Sequence, residues 1–127
     1  MTDICEMPEV EIDDRDANFI DRFSVCGKPQ CLLHDYGNRS ILYLSNVLTR
    51  ALNCKRVKIG RANNYILLKR TYDTDETGYV LGHMGRGGGA SVTTSKAVSS
   101  GLIPKSMFGR IITVKKYSGG IAIPVYD

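Results

Sequence analysis

The side chains with the clearest chemical potential are the lysines and arginines that recur between residues 55 and 116. Four aromatic residues, Tyr65, Tyr72, Phe108 and Tyr117, are interspersed among them. Basic side chains contact phosphates and aromatic rings stack on unpaired bases, so the combination predicts a nucleic-acid-binding surface. The same residues would equally suit the solvent-facing side of a small domain. The predicted nucleic-acid-binding set is Lys55, Arg56, Lys58, Arg61, Lys69, Arg70, Arg86, Lys105, Arg110, Lys115 and Lys116.

Charge is divided unevenly along the chain. Residues 1–24 hold eight of the thirteen acidic residues and two of the seventeen basic ones, which gives this segment a net charge of −6. The remainder, from Val25 onward, carries fifteen basic and five acidic residues and a net charge of +10. A body this basic attracts polyanions over a Debye length. The acidic segment is expected either to neutralise the basic body or to modulate its binding of a polyanion.

Cysteine and histidine residues suggest little further chemistry. Cys26 and Cys31, with His34 nearby, are residue types that ligate zinc, but a C-x₄-C pair without a second pair rarely makes a closed tetrahedral site. Neither His34 nor His83 lies in a recognisable nucleophile motif. We therefore expect no metal, no cofactor and no enzymatic activity.

A glycine-rich segment, Gly82–Gly89, contains Arg86 and precedes a helix-like stretch, Ser91–Ser100. Backbone N–H groups at the start of a helix can cradle a phosphate, which leaves a phosphate site open as an alternative. The segment lacks the G-x-x-x-x-G-K-[ST] spacing of a P-loop. A flexible loop, or one that makes close contacts, is the favoured interpretation.

The chain of 127 residues is 43% hydrophobic and 24% charged, which is typical of one ordinary globular domain. We expect an acidic N-terminal arm or edge strand at residues 1–22 and a single domain at residues 23–127. No apolar run is long enough to span a bilayer, and the N-terminal residues do not resemble a signal peptide. The sequence thus predicts a cytoplasmic protein without membrane contact, located in the host cytoplasm if it is virus-encoded.

The elements expected to position the basic residues are β-hairpins around one main helix, an α+β fold. Apolar residues at three- and four-residue steps predict the helix between Ser40 and Asn53, and a second, weaker helix follows the glycine-rich segment. Hairpins are predicted at Phe23–Leu33, Arg56–Arg70 and Arg110–Val125, with Pro124 placing the last strand at a sheet edge. Each half of the chain has a helix followed by a hairpin, which is either a degenerate repeat or a chance match.

The stretch from Ser100 to Lys105, with Gly109 and the strand beginning at Ile111, is similar to part of the AbrB-type swapped-hairpin family of DNA-binding proteins. The apolar strand that this family places immediately before the Ile103-Pro104-Lys105 sequence is missing here. The resemblance implies DNA binding by a dimer.

Two functions follow as expectations. The first is a small, non-enzymatic nucleic-acid-binding or regulatory protein whose basic hairpins form the binding surface, with a homodimer as an option. The alternative is an inhibitor or adaptor, encoded by a virus or mobile element, that binds a protein partner and whose acidic arm mimics nucleic acid or docks on a basic surface.

Overall fold

The computed structural model describes residues 7–15, 27–84 and 88–125. Its ten strands and two α-helices are β1 Gln30–Asp35, β2 Ser40–Leu44, α1 Asn46–Leu52, β3 Arg56–Ala62, β4 Tyr65–Thr71, β5 Tyr79–Val80, β6 Gly82–Met84, β7 Gly89–Thr93, α2 Ser95–Ser99, β8 Ile111–Thr113, β9 Lys115–Tyr117 and β10 Gly120–Pro124, with a 3₁₀ helix at Lys105–Met107. Residues 7–15 form neither helix nor strand. The described part of the chain contains no helix of the length and apolarity required to cross a membrane.

The strands form two antiparallel sheets of five strands each. Sheet A has the strand order β6-β7-β2-β1-β8, and sheet B has the order β5-β3-β4-β10-β9. Alternate residues of a strand point to opposite faces, and the buried residues of β2 and β4 follow this period of two. Leu42 and Leu44 are buried in β2, and Ile66 and Leu68 are buried in β4. Each sheet therefore has one apolar inner face and one outer face.

The inner faces of both sheets contribute to one hydrophobic core. A small apolar cavity illustrates this, because its walls include Cys31 and Leu42 of sheet A, Ile66 and Ile123 of sheet B, and Met107 of the 3₁₀ helix. The mixed α+β class predicted from the sequence is confirmed. The expected packing around one main helix holds only loosely, since side chains from the two sheets make up most of the core.

The predicted helix between Ser40 and Asn53 is a strand followed by a shorter helix. Residues Ser40–Leu44 form β2, and α1 begins after Ser45, whose side chain accepts a hydrogen bond from the backbone N–H of Leu48. Asn53 ends the helix in the left-handed conformation, with φ 46°. The periodicity was misleading because apolar residues within β2 also fall at helical spacing relative to those of α1.

The hairpin predictions had mixed outcomes. The central one is confirmed as β3 and β4, joined at Asn63, which has φ 53°. The first arm of the predicted Phe23–Leu33 hairpin falls among residues 16–26, which lie outside the described residues, while β1 pairs with β2 and β8. Strand β10 is not an edge strand, because it lies between β4 and β9; Pro124 sits beyond the end of its pairing with β9.

The run Ile111–Tyr117 divides between the two sheets, and its first four residues, Ile111–Val114, were predicted to pair with the last strand as one hairpin arm. Strand β8 pairs with β1 of sheet A, whereas β9 pairs with β10 of sheet B. The backbone N–H of Val114 donates to Pro29 O at 2.8 Å at the crossing point. The crossing links the edge strands of the two sheets, so a single run of sequence serves both.

The two halves of the described chain share one order of elements. The first half has the hairpin β1–β2, helix α1 and the hairpin β3–β4; the second has β6–β7, helix α2 and β9–β10, with the 3₁₀ helix and β8 between α2 and β9 and with β5 before β6. The halves meet at the pair β2–β7 in sheet A and the pair β4–β10 in sheet B, both antiparallel. This arrangement is what a degenerate internal repeat would produce.

Candidate nucleic-acid interface

The outer face of sheet B gathers basic residues that are far apart in the sequence. The register places Lys58 of β3 directly opposite Lys69 of β4, and Lys69 opposite Gly120 of β10. Lys115 pairs with Ala122 of β10, and Ala122 pairs with Leu67 of β4. Leu67 is two residues before Lys69 in the same strand, so Lys115 and Lys69 lie on the same face. We call this surface, made of Lys58, Lys69 and Lys115 with Tyr65 and Tyr117, the basic face.

Two tyrosines lie on this face among the lysines. Tyr65 pairs with Pro124, and Tyr117 pairs with Gly120 in the same row as Lys58 and Lys69. Both rings are half-buried, so part of each remains accessible. The small residues Gly120 and Ala122 of β10 lie between them, and both are buried.

The basic face carries one carboxylate that partly offsets its charge. Asp75, in the turn after β4, lies 3.7 Å from Lys58 Nζ. Its oxygens also accept hydrogen bonds from the hydroxyls of Thr71 and Thr77, both at 2.6 Å, and from the backbone N–H of Thr77. These hydrogen bonds, with a smaller contribution from Lys58, hold the pKa of Asp75 well below its ordinary range. Lys69 and Lys115 form no ion pair within the described part of the chain.

Arg56 and Arg61, two of the predicted nucleic-acid-binding residues, use their guanidinium groups within the fold. Arg56 donates to the carbonyl oxygens of Asp73 and Gly78 and so fixes the turn between β4 and β5. Arg61 donates to Leu102 O at 3.1 Å, which ties the tip of the central hairpin to the segment after α2.

Arg70 has the most extensive structural role of these arginines. It faces the inner side of sheet B at the end of β4, since it pairs with the buried Val57. Its guanidinium donates to Leu52 O at 2.8 Å and Ala51 O at 3.0 Å, the last carbonyls of α1, and to Ser118 O at 3.2 Å. A cation at a helix C-terminus stabilises the helix.

The remaining predicted residues are scattered over the molecule. Lys55 lines a cleft beside α1, while Lys116 is exposed on the edge strand β9 but alternates away from the basic face. Lys105 and Arg110 lie on the sheet A side, near β1 and β8. Arg86 lies outside the described residues. The structure therefore brings only part of the predicted set onto one surface.

The glycine-rich segment Gly82–Gly89 is described at its two ends, and its residues 85–87 lie outside the described residues. Its first three residues form β6 and its last begins β7, so the two ends pair as a hairpin. A strand, not a helix, follows the segment, and the helix-like stretch Ser91–Ser100 divides into the end of β7 and the short helix α2. The alternative of a phosphate cradle required a helix that starts at Ser91, but Ser91 lies in β7.

The described cysteine and histidine residues are spread over the molecule and form no metal-ligand cluster. Cys31 is buried and His34 is exposed, and burial raises the pKa of the Cys31 thiol to about 12. Cys54 and His83 line one cleft with Asp73, but burial is the largest effect on Cys54 and raises the pKa of its thiol. Within the described ranges no three His, Cys, Asp or Glu side chains are placed to hold a metal ion.

One group of cations was not predicted to lie together. Arg39, Lys96 and Lys105 line a cleft between the turn that joins β1 and β2, helix α2 and the 3₁₀ helix. Only Lys105 belongs to the predicted set. Lys96 lies within the basic run between residues 55 and 116, whereas Arg39 lies outside it, and no spacing in the sequence indicates that the three residues share a cleft.

Comparisons with protein-family models, with curated proteins and with solved structures found no match. The similarity of the Ser100–Lys105 region to AbrB-type hairpins therefore stays an expectation from the sequence.

Proposed function

We propose that this protein binds nucleic acid, without catalysis, through the basic face of sheet B. The observation that carries the proposal is the cross-strand pair Lys58 and Lys69 with Lys115 on the same outer face, flanked by Tyr65 and Tyr117. Like charges directly opposite each other destabilise a sheet, although Asp75 partly offsets the charge of Lys58. Phosphate groups would relieve this repulsion, and the release of their counterions would favour binding.

The arrangement supports contact with the phosphate backbone more than reading of sequence. Lysine acts as a point charge with no fixed donor geometry, whereas base recognition commonly uses the planar fork of arginine. Arg56, Arg61 and Arg70, which could supply such forks, donate to backbone carbonyls instead. We therefore expect binding with weak sequence preference, and the two tyrosines favour strands with unpaired bases.

The test is a titration of fluorescent duplex and single-stranded DNA and RNA at several salt concentrations. The variant K58Q/K69Q/K115Q should bind more weakly, and its plot of log affinity against log salt should be shallower by about 2–3 units, since each lost phosphate contact removes about 0.7–0.9. The exposed Lys28 lies outside the face, and K28Q serves as the matched control. Wild-type protein that shows no salt-sensitive binding would refute the proposal.

The acidic arm is proposed to compete with nucleic acid for the basic face. The described part of the arm, residues 7–15, is exposed, and Arg15 there pairs with Asp13. Neutralising the arm with E9Q/E11Q/D14N should raise affinity for DNA at low salt and have little effect at high salt, where screening removes long-range attraction. Equal affinities at low salt would show that the arm does not modulate binding.

A second candidate function is an adaptor or inhibitor that docks on a protein partner through this arm. Met7, Val10 and Ile12 are 68–75% exposed and are interspersed with acidic residues. Exposed apolar side chains at such spacing can anchor an extended peptide on a partner with a basic rim. The variant M7S/V10S/I12S separates the two functions, because it should abolish partner capture in a pull-down and leave nucleic-acid binding intact.

A further inference from the structure

The cleft lined by Arg39, Lys96 and Lys105 is a second concentration of positive charge, separate from the basic face. It has a volume of about 420 Å³, within the range of small-molecule sites. Asp35 is the one carboxylate of its lining, and its Oδ1 accepts a hydrogen bond from the backbone N–H of Gly37 at 2.8 Å. None of the three cations forms an ion pair with a described residue.

Hydrogen bonds fix the segments that carry the first two cations. The hydroxyls of Ser40 and Thr94 are buried and 3.0 Å apart, and the backbone N–H of Thr94 donates to Ser40 O at 2.9 Å. The backbone N–H of Ser40 donates to Ser95 Oγ at 3.0 Å. Arg39 precedes this junction and Lys96 follows it, so the positions of their backbones relative to each other are set before any ligand binds.

The third cation is held against strand β1. Lys105 begins the 3₁₀ helix, and at the end of that segment Phe108 forms a β-bridge with Leu33. The backbone N–H of Gly109 donates to Leu33 O at 2.9 Å. Three chain segments thus bring like charges to one cleft, and binding of an anion there would relieve their mutual repulsion.

The rest of the lining indicates what kind of anion fits. Val98 and Phe108 are half-buried and give the cleft an apolar wall, while Ser95 and Ser99 add hydroxyl groups. A ligand that matches this lining carries a phosphate for the cations and a flat, partly apolar ring for the wall. We propose that the cleft binds the phosphate and base of a nucleoside monophosphate unit, either as a free nucleotide or as the phosphorylated end of a strand.

The test measures binding of adenosine monophosphate, adenosine and inorganic phosphate to the full chain by calorimetry at low salt. We expect the monophosphate to bind at least about tenfold more tightly than adenosine or phosphate alone, because charged hydrogen bonds and ring packing add together. The variant R39Q/K96Q should weaken monophosphate binding at least about tenfold, and K28Q should not. Absence of binding, or equal binding by the R39Q/K96Q variant, would overturn the proposal, as would adenosine or phosphate binding as tightly as the monophosphate.

Two further measurements distinguish the two sources of the ligand and separate this proposal from the proposed function of the basic face. A 5′-phosphorylated oligonucleotide that displaces the monophosphate identifies a strand end as a ligand, whereas failure of that oligonucleotide to compete leaves the free nucleotide. The K58Q/K69Q/K115Q variant should keep full affinity for the monophosphate. Its loss of long duplex binding, with the monophosphate still bound, would show that the cleft and the basic face act independently.

Discussion

Replacing Arg70 distinguishes an arginine that holds the fold together from one that binds a phosphate. In the structure its guanidinium donates to the carbonyl oxygens of Leu52, Ala51 and Ser118, at 2.8, 3.0 and 3.2 Å. R70Q leaves these carbonyls with water as their main partner and removes a cation from the end of α1. R70K keeps the charge but cannot donate along three directions at once.

The expected loss of stability follows from the exposure of these hydrogen bonds. A hydrogen bond to a charged group contributes about 1.5–3 kcal/mol when well shielded, but the Arg70 side chain is exposed, so we expect about 2 kcal/mol in total. For a domain of this length, that loss lowers Tm by about 6 °C. R70K should fall between R70Q and the wild type.

Thermal unfolding followed by circular dichroism measures this effect, with R110Q as the matched control. Arg110 is exposed, and no hydrogen bond or ion pair from its side chain to a described residue is present, so R110Q should unfold within about 1 °C of the wild type. The reasoning is refuted if R70Q also keeps the wild-type Tm and instead loses affinity for DNA. That result would mean that the guanidinium binds phosphate and not the end of the helix.

Three other changes test the structure at independent points. Gly120 of β10 has no room for a side chain, because a β-carbon would overlap a carbonyl oxygen of β4, so G120A should give insoluble or strongly destabilised protein. G60A is the control and should stay soluble, because the space around Gly60 is open. Soluble G120A protein with the wild-type Tm would contradict this prediction. The pKa of Asp75 is lowered in the folded state, so the ionised carboxylate stabilises the fold above its unfolded pKa of about 3.9, and this contribution is lost as the pH falls towards the lower, folded pKa. The difference in Tm between wild type and D75N should therefore be widest near neutral pH and should narrow below about pH 4. A difference in Tm that does not depend on pH would exclude the carboxylate as its source. T94V removes the buried partner of the Ser40 hydroxyl and should lower the free energy of unfolding by about 1–3 kcal/mol, measured by urea unfolding. An unchanged urea midpoint would show that the junction between β2 and α2 does not depend on this hydrogen bond.

The sequence was most informative where local chemistry decides the structure. The central hairpin was predictable because Asn63 accepts the positive φ of a tight turn and β-forming residues flank it on both sides. Asn53 marked the end of α1 for a similar reason, since asparagine tolerates the left-handed conformation there. The charge division between residues 1–24 and the remainder is likewise a property of the sequence alone.

Local patterns failed where one segment had two consistent interpretations. Ile41 and Leu44 fit a helical stripe together with Leu48 and Leu52, yet the first two lie in β2. Burial of Leu42 and Leu44 between the sheets decided the outcome, because β2 is flanked on both sides by paired strands. In the same way the division of Ile111–Tyr117 between β8 and β9 depends on which strands have a free edge for pairing, and no local propensity encodes that.

The sequence by itself determined that this protein has a small α+β fold and a basic body with an acidic leading segment. Only the tertiary structure decided which cations share a surface. Strand register aligned Lys58 with Lys69 on one face, and the same register turned Arg70 inward to the end of α1. The physical reason is that sequence spacing fixes the face of a strand on which a side chain lies, whereas its neighbours across the sheet depend on pairings between segments that are remote along the chain.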